Sequence, residues 1–191
     1  QSEERGIRSQ PGGRHEGSFP VIGNRQQRRL ANLAGCASVV GLIAYALYAQ
    51  YGLGLEACPL CIFQRVAFIA GGAVFLLAGL HAPGKARLYG LAALAPNVVG
   101  GSIAARHVYI QNLPADQVPA CGPGLSYLLD AFPLMDAVRL VLTGSGECAE
   151  VVWSFMGLSM PSWALIWFVL LSALAVAANW RRLPPSTFAR R

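Results

Sequence analysis

"CPLCIFQRVAFIAGGAVFLLAGL", residues 58–80, decides the architecture of this chain, because from Val66 to Leu80 it contains nothing but apolar residues and glycine. With its flanks the stretch approaches the ~20 residues that a helix needs to cross ~30 Å of hydrocarbon. Three further blocks repeat the pattern. Ala31 to Gln50 carries no charge, Leu88 to Ala105 is broken only by Pro96, Asn97 and Ser102, and Trp163 to Ala178 only by Ser172. A soluble chain of 191 residues could bury one such helix but lacks the polar surface to cover four, and here 54% of residues are hydrophobic and only 13% charged. The expected fold is therefore an all-α membrane protein, a four-helix transmembrane bundle with spans at approximately 31–51, 62–80, 88–106 and 162–180. Loops 52–61 and 107–161 join the first and last pairs of spans.

The net charge of +6 could suggest a nucleic-acid partner, but the positions of the charges point instead to a bilayer. Arg5, Arg8, Arg14, Arg25, Arg28 and Arg29 precede the first span, Lys85 and Arg87 lie between the second and third, and Arg181, Arg182, Arg190 and Arg191 follow the fourth. The segment from His107 to Pro161 holds one basic residue, Arg139, against Asp116, Asp130, Asp136, Glu147 and Glu150. The positive-inside rule then sets both termini and the short middle loop in the cytoplasm, and loops 52–61 and 107–161 outside. Residues 1–24, polar and rich in Gly, Arg and Ser, read as a disordered basic arm, and 181–191 as a basic tail. The first span follows that long arm and precedes three more, so it reads as a retained span and not a cleavable signal.

Within the long outer loop, Leu125, Leu128, Leu129, Phe132, Met135, Val138 and Leu142 recur at helical spacing, interrupted by Pro133. One or two short amphipathic helices lying on the outer membrane surface, or packed as a lid on the bundle, are expected. Tyr45, Tyr48, Tyr51, Trp163, Trp167 and Trp180 fall near span ends, as interfacial aromatics do. Gly71, Gly72, Gly100 and Gly101 offer small faces for close helix contact.

The topology sorts the five cysteines. Cys36 lies inside the first span, where a small apolar thiol is unremarkable. Cys58 and Cys61 stand in the first outer loop at the mouth of the second span, and Cys121 and Cys148 in the long loop. All four face the oxidising compartment, so two disulfides are the default reading. Haem attachment is excluded because Ile62, not His, follows Cys61. A four-cysteine zinc site is disfavoured by the compartment and by the wide separation of Cys121 from Cys148. A disulfide across two intervening residues removes little chain entropy and makes a poor staple, whereas the same spacing lets one thiol resolve a mixed disulfide formed on the other. Cys61 also opens a helix, where unpaired N–H groups favour a thiolate, and Arg65 is four residues on, on the same face. A guanidinium at membrane depth beside such a cysteine reads as part of a site.

"CPLCIFQR" at the second span, "ARHVYIQ" leaving the third and "GECAEVVWSFMGLSMPSW" entering the fourth resemble the DsbB family of bacterial inner-membrane disulfide-bond formation proteins. The resemblance covers roughly residues 30–180 and implies an inner-membrane thiol oxidase that reoxidises a periplasmic thioredoxin-like, DsbA-type partner. Electrons would pass to membrane quinone, ubiquinone or menaquinone, without metal or haem. By the same resemblance, Cys121 receives the partner's thiolate, Cys148 relays electrons to Cys58, and Cys61 faces the quinone. Arg65, His107 and Gln111 match the polar residues of the quinone site. The stretch after Cys121 resembles the family only in length and character. Other readings are a paralogue serving another partner, a vitamin K epoxide reductase type enzyme, in which the order of the cysteine pairs is reversed, and a disulfide-stapled membrane binding protein.

Overall fold

A computed structural model describes residues 25–81, 86–114, 116–118, 133, 135–136, 139, 141 and 146–180. Four helices dominate it: α1 (Arg25–Gly52), α2 (Pro59–His81), α3 (Ala86–Gln111) and α5 (Met160–Asn179). Each is long and apolar enough to cross a membrane. Before α5 come a single turn, α4 (Gly146–Ala149), and a two-stranded hairpin, β1 (Ser154–Phe155) with β2 (Leu158–Ser159). Cys121 and most of the helical pattern expected at 125–142 lie outside the described residues.

The bundle packs α3 against α2 and α5, and α1 against α2. Its main core comprises Val39, Ala67, Phe68, Phe75, Ala93, Ala104, Phe168, Leu171 and Ala175. Phe68 and Phe168 stack with ring centroids 3.8 Å apart and planes 6° from parallel. In lipid, where hydrophobicity does not drive helices together, such close packing carries the association, and small residues permit it. A Cβ on Gly100 would overlap the Phe168 ring and come within 2.8 Å of Ala67 Cβ, and one on Gly72 would meet Val39 at 2.8 Å. Gly101, by contrast, faces Phe168 Cβ at an ordinary 3.5 Å.

At the end of the bundle away from Cys58, Asn32 on α1 and Asn179 on α5 exchange amide hydrogen bonds of 3.3 and 3.0 Å. Each amide also donates back to its own helix, Asn32 to the Arg28 carbonyl and Asn179 to that of Ala175. Both side chains are 2% exposed, so every one of these bonds replaces a contact that neither water nor lipid supplies.

At the opposite end α3 does not stop at Arg106 but continues to Gln111, which makes His107 and Gln111 helical residues. The connection from α4 to α5 turns through the hairpin, with Ser154 paired to Ser159 and Phe155 to Leu158. Both turn residues have positive φ, Met156 at 52° and Gly157 at 79°. Glycine takes that conformation freely, methionine at some cost, and such left-handed pairs match the twist of a two-residue hairpin. The hairpin sets Phe155 and Trp163 side by side, and the Trp163 indole donates to the Phe155 carbonyl at 3.1 Å.

Candidate functional site

The cysteine pair is built into the start of α2. Pro59, with no N–H to lose, occupies the first helical position, where its fixed φ suits the helix. Cys58 precedes it as the cap: its carbonyl accepts the Ile62 N–H at 3.2 Å and its sulfur accepts the Cys61 N–H at 3.4 Å. A sulfur thus takes the place that a Ser or Asp oxygen usually fills. This geometry holds the Cys58 and Cys61 sulfurs 3.0 Å apart, about 1 Å more than a disulfide bond.

His107 closes the pair from α3. Its Nε2 lies 3.1 Å from the Cys148 carbonyl and its Nδ1 3.2 Å from the Gln64 amide nitrogen. A carbonyl only accepts and an amide NH₂ only donates, so Nε2 bears the proton and Nδ1 the lone pair. The sulfurs of Cys58 and Cys61 approach the two ring nitrogens to 3.8 and 4.0 Å. His107 and Gln64 are both buried, at 2% and 4% exposed.

Cys148, on α4, is 1% exposed in a second small core with Leu60, Ile103, Ile110 and Val141, and Cys58 packs against that core. The third described loop-region cysteine therefore sits next to the pair, with its backbone tied to His107. Arg65 reaches from α2 to α1, donating to the Gln50 side chain and, at 3.2 Å, to the Ala46 carbonyl. Gln111 accepts the Ser159 hydroxyl at 2.7 Å and so ties α3 to the hairpin.

Two cavities meet at this cluster. One, of about 390 Å³, is lined by apolar and aromatic side chains of α1, α2, the hairpin with the residue before it, and α5, among them Tyr45, Phe68, Trp153, Phe155, Trp163 and Trp167, with Cys61, Gln64 and Arg65 as its polar and sulfur-bearing wall. The other, of about 350 Å³, is more polar and is lined by Cys58, Cys61, Arg65, His107, Gln111, Glu147 and Glu150. Cys61, Arg65 and Trp153 belong to both; Cys58 and His107 line only the polar one. The sulfurs and a His107 nitrogen also lie within 4.8 Å of one another, close enough to share one ion.

Six of the seven residues singled out from sequence, Cys58, Cys61, Cys148, Arg65, His107 and Gln111, converge here, and Cys121 is the one outside the described residues. Sequence reasoning assigned no role to Gln50, Gln64, Trp153 or Phe155, and treated Tyr45, Trp163 and Trp167 as interfacial aromatics, whereas all three line the apolar cavity. The available signal was polar spacing: Gln64 falls next to Arg65 inside an apolar run, where an amide needs a partner.

Comparison with known proteins covers nearly the whole four-helix bundle. The family model for disulfide bond formation protein DsbB matches residues 28–178. The chain is similar to disulfide bond formation protein B of Saccharophagus degradans, 50% identical over 159 residues that cover 82% of this chain and 94% of that one. Similar proteins of the same description occur in Hahella chejuensis, 47% identical over 77% of this chain and 90% of the other, and in Xanthomonas campestris, 46% identical over 80% and 91%.

Proposed function

We propose, on the premise that this chain belongs to the DsbB family of membrane disulfide bond formation proteins, that it oxidises a periplasmic thioredoxin-like dithiol of the DsbA type and delivers the electrons to membrane quinone. Both termini are then cytoplasmic and the four loop cysteines periplasmic, a reading that the arginine distribution supports. The observation that supports the reading best is the position of Cys61 on a wall common to an apolar, aromatic cavity and a polar one.

The thiol steps balance as successive exchanges. The partner's thiolate attacks Cys121 of a Cys121–Cys148 disulfide, and its second thiol displaces the mixed bond, leaving the partner oxidised and both loop cysteines as thiols. Cys148 and Cys121 then reduce a Cys58–Cys61 disulfide by the same two substitutions, which the burial of Cys148 against Cys58 favours. Quinone, which supplies an acceptor for two electrons and two protons, would be held in the apolar cavity. The fit is reasonable: about 390 Å³ suits a substituted ring, the lining is aromatic, and the Arg65 guanidinium and Gln64 amide are hydrogen-bond donors in its wall. Arg65 would stabilise negative charge on a ring oxygen, since a fixed guanidinium in a water-poor site acts without reorganising. Gln50 and the Ala46 carbonyl hold that guanidinium in place. Cys61, the thiol exposed to this cavity, would deliver the electrons, and Cys58 would bond to it as the disulfide re-forms.

The test is quinone reduction by purified protein in detergent, driven by a reduced DsbA-type donor. Cys61→Ser and Cys121→Ser should both lose turnover, with Cys121→Ser already failing to oxidise the donor. Persistent quinone reduction in both variants would sink the reading.

A further inference from the structure

Thiol exchange needs two sulfurs, yet the pair here is accompanied by a nitrogen donor. Cys58 Sγ, Cys61 Sγ and a ring nitrogen of His107 lie within 4.8 Å of one another. Around an ion with metal–sulfur bonds of about 2.3 Å and metal–nitrogen bonds of about 2.0–2.1 Å, tetrahedral angles put neighbouring donors roughly 3.5–3.8 Å apart. The sulfurs are 3.0 Å apart; Cys61 Sγ lies 4.0 Å from Nδ1, and Cys58 Sγ approaches the ring on its Nε2 side at 3.8 Å. Opening the sulfurs by less than about 1 Å and advancing Nδ1 by a few tenths toward Cys61 reaches the coordination distances for that pair, and Cys58 lies within 4.8 Å of the same set.

The tautomer is the one a metal needs. A metal-bound histidine donates its second N–H to a carbonyl or carboxylate, which orients the ring, and the His107 Nε2 bond to the Cys148 carbonyl supplies that contact. Nδ1 keeps its lone pair and would exchange the Gln64 amide for the ion. Glu147 and Glu150 line the same polar cavity and draw cations toward it, leaving a fourth position open to water.

We propose that the reduced Cys58–Cys61 dithiol and His107 form a redox-gated inhibitory site for a thiophilic divalent cation of the zinc or cadmium class. Two S–H bonds break, two metal–sulfur bonds form, two protons leave to solvent and no electrons move. The disulfide form has no thiolate to offer, so only the reduced enzyme binds. Bound in this way the sulfurs cannot join, and the enzyme stops until a chelator withdraws the ion. The inhibitory role rests on the disulfide-exchange reading above; the site itself does not.

The experiment titrates Co²⁺, and then Zn²⁺, into full-length protein reduced anaerobically in detergent and freed of reductant. One Co²⁺ per chain is expected, with the absorption of tetrahedral thiolate coordination, displaced by Zn²⁺ and absent from the oxidised protein. His107→Gln should bind at least about tenfold more weakly, an expectation set by the cost of losing a ligand or its support. Cys121→Ser should bind as wild type does. No tetrahedral spectrum, an equal spectrum in oxidised protein, unchanged affinity in His107→Gln, or loss in Cys121→Ser each overturns the site; the oxidised control needs no variant to fold. Chelator-treated turnover is measured in parallel. Turnover without metal binding sinks this inference alone, whereas binding without any quinone reduction upholds the site and sinks the function and its inhibition.

Discussion

Gln64 and His107, on neighbouring helices, meet at 3.2 Å, and the amide of the first joins the Cys148 carbonyl in selecting which nitrogen of the second carries the proton. Both are buried beside the cysteine pair, so a helix–helix contact bears directly on the protonation of the site. Gln64→Leu removes the donor and leaves Nδ1 unsatisfied, a cost of about 1–3 kcal/mol for a buried polar group. The expected result is a lower thermal midpoint in detergent and quinone reduction slowed several-fold. Histidine ¹⁵N NMR should show the Nε2–H tautomer in wild type and, with only the Cys148 carbonyl left to select it, a measurable admixture of the other tautomer in the variant. A single unchanged tautomer would remove the role given to Gln64.

Arg65 should not tolerate lysine. Its fork holds Gln50 and the Ala46 carbonyl at once, which an ammonium on a flexible stem does not reproduce. Loss of a charge-assisted hydrogen bond, about 1.5–3 kcal/mol, corresponds to a KM for quinone raised by about tenfold or more in Arg65→Lys. Gln50→Leu should move KM in the same direction by less. Wild-type KM in both variants would mean that orientation of the guanidinium is irrelevant.

Among the described glycines, Gly100 has the least room for a side chain. Gly100→Ala presses a methyl into Phe168 and Ala67, and overpacking of this kind costs about 1–3 kcal/mol. Gly101→Ala, facing ordinary contact distances, is the control and should stay close to wild type. Equal destabilisation of the two in detergent unfolding would show that the stacked Phe68–Phe168 pair yields easily.

The Asn32–Asn179 clasp makes a different prediction. Asn179→Leu strands the Asn32 side-chain oxygen, whereas Asn32→Leu with Asn179→Leu removes both partners. Interhelical polar contacts in membranes average about 0.6 kcal/mol, so the single variant should lose roughly that much stability and the double variant should recover part of it. Strictly additive losses in a double-mutant cycle would show that the two amides do not interact.

The four spans were legible because length and unbroken apolarity set them, and the pair at Cys58 and Cys61 because spacing and a helix start are local properties. Gln64 and Gln50 were not, since each acquires meaning only from a residue on another helix. Tyr45, Trp163 and Trp167 illustrate the same limit: an aromatic near a span end satisfies the interfacial pattern whether it faces lipid or a cavity, and composition does not register which. The hairpin at Ser154–Ser159 escaped notice because its strands are two residues each and methionine, in its turn, adopts a conformation that sequence statistics assign to glycine or asparagine.

The partition at Cys61 and Arg65 bears on how such an enzyme stays faithful. On the proposed function, a greasy oxidant would meet Cys61 from the apolar cavity while the loop cysteines reach the pair from the polar side, so oxidant and protein partner need never collide. Fidelity then comes from insulation: the bundle behaves as a junction between two circuits, and any variant that opens the partition should leak reducing equivalents while every cysteine remains in place.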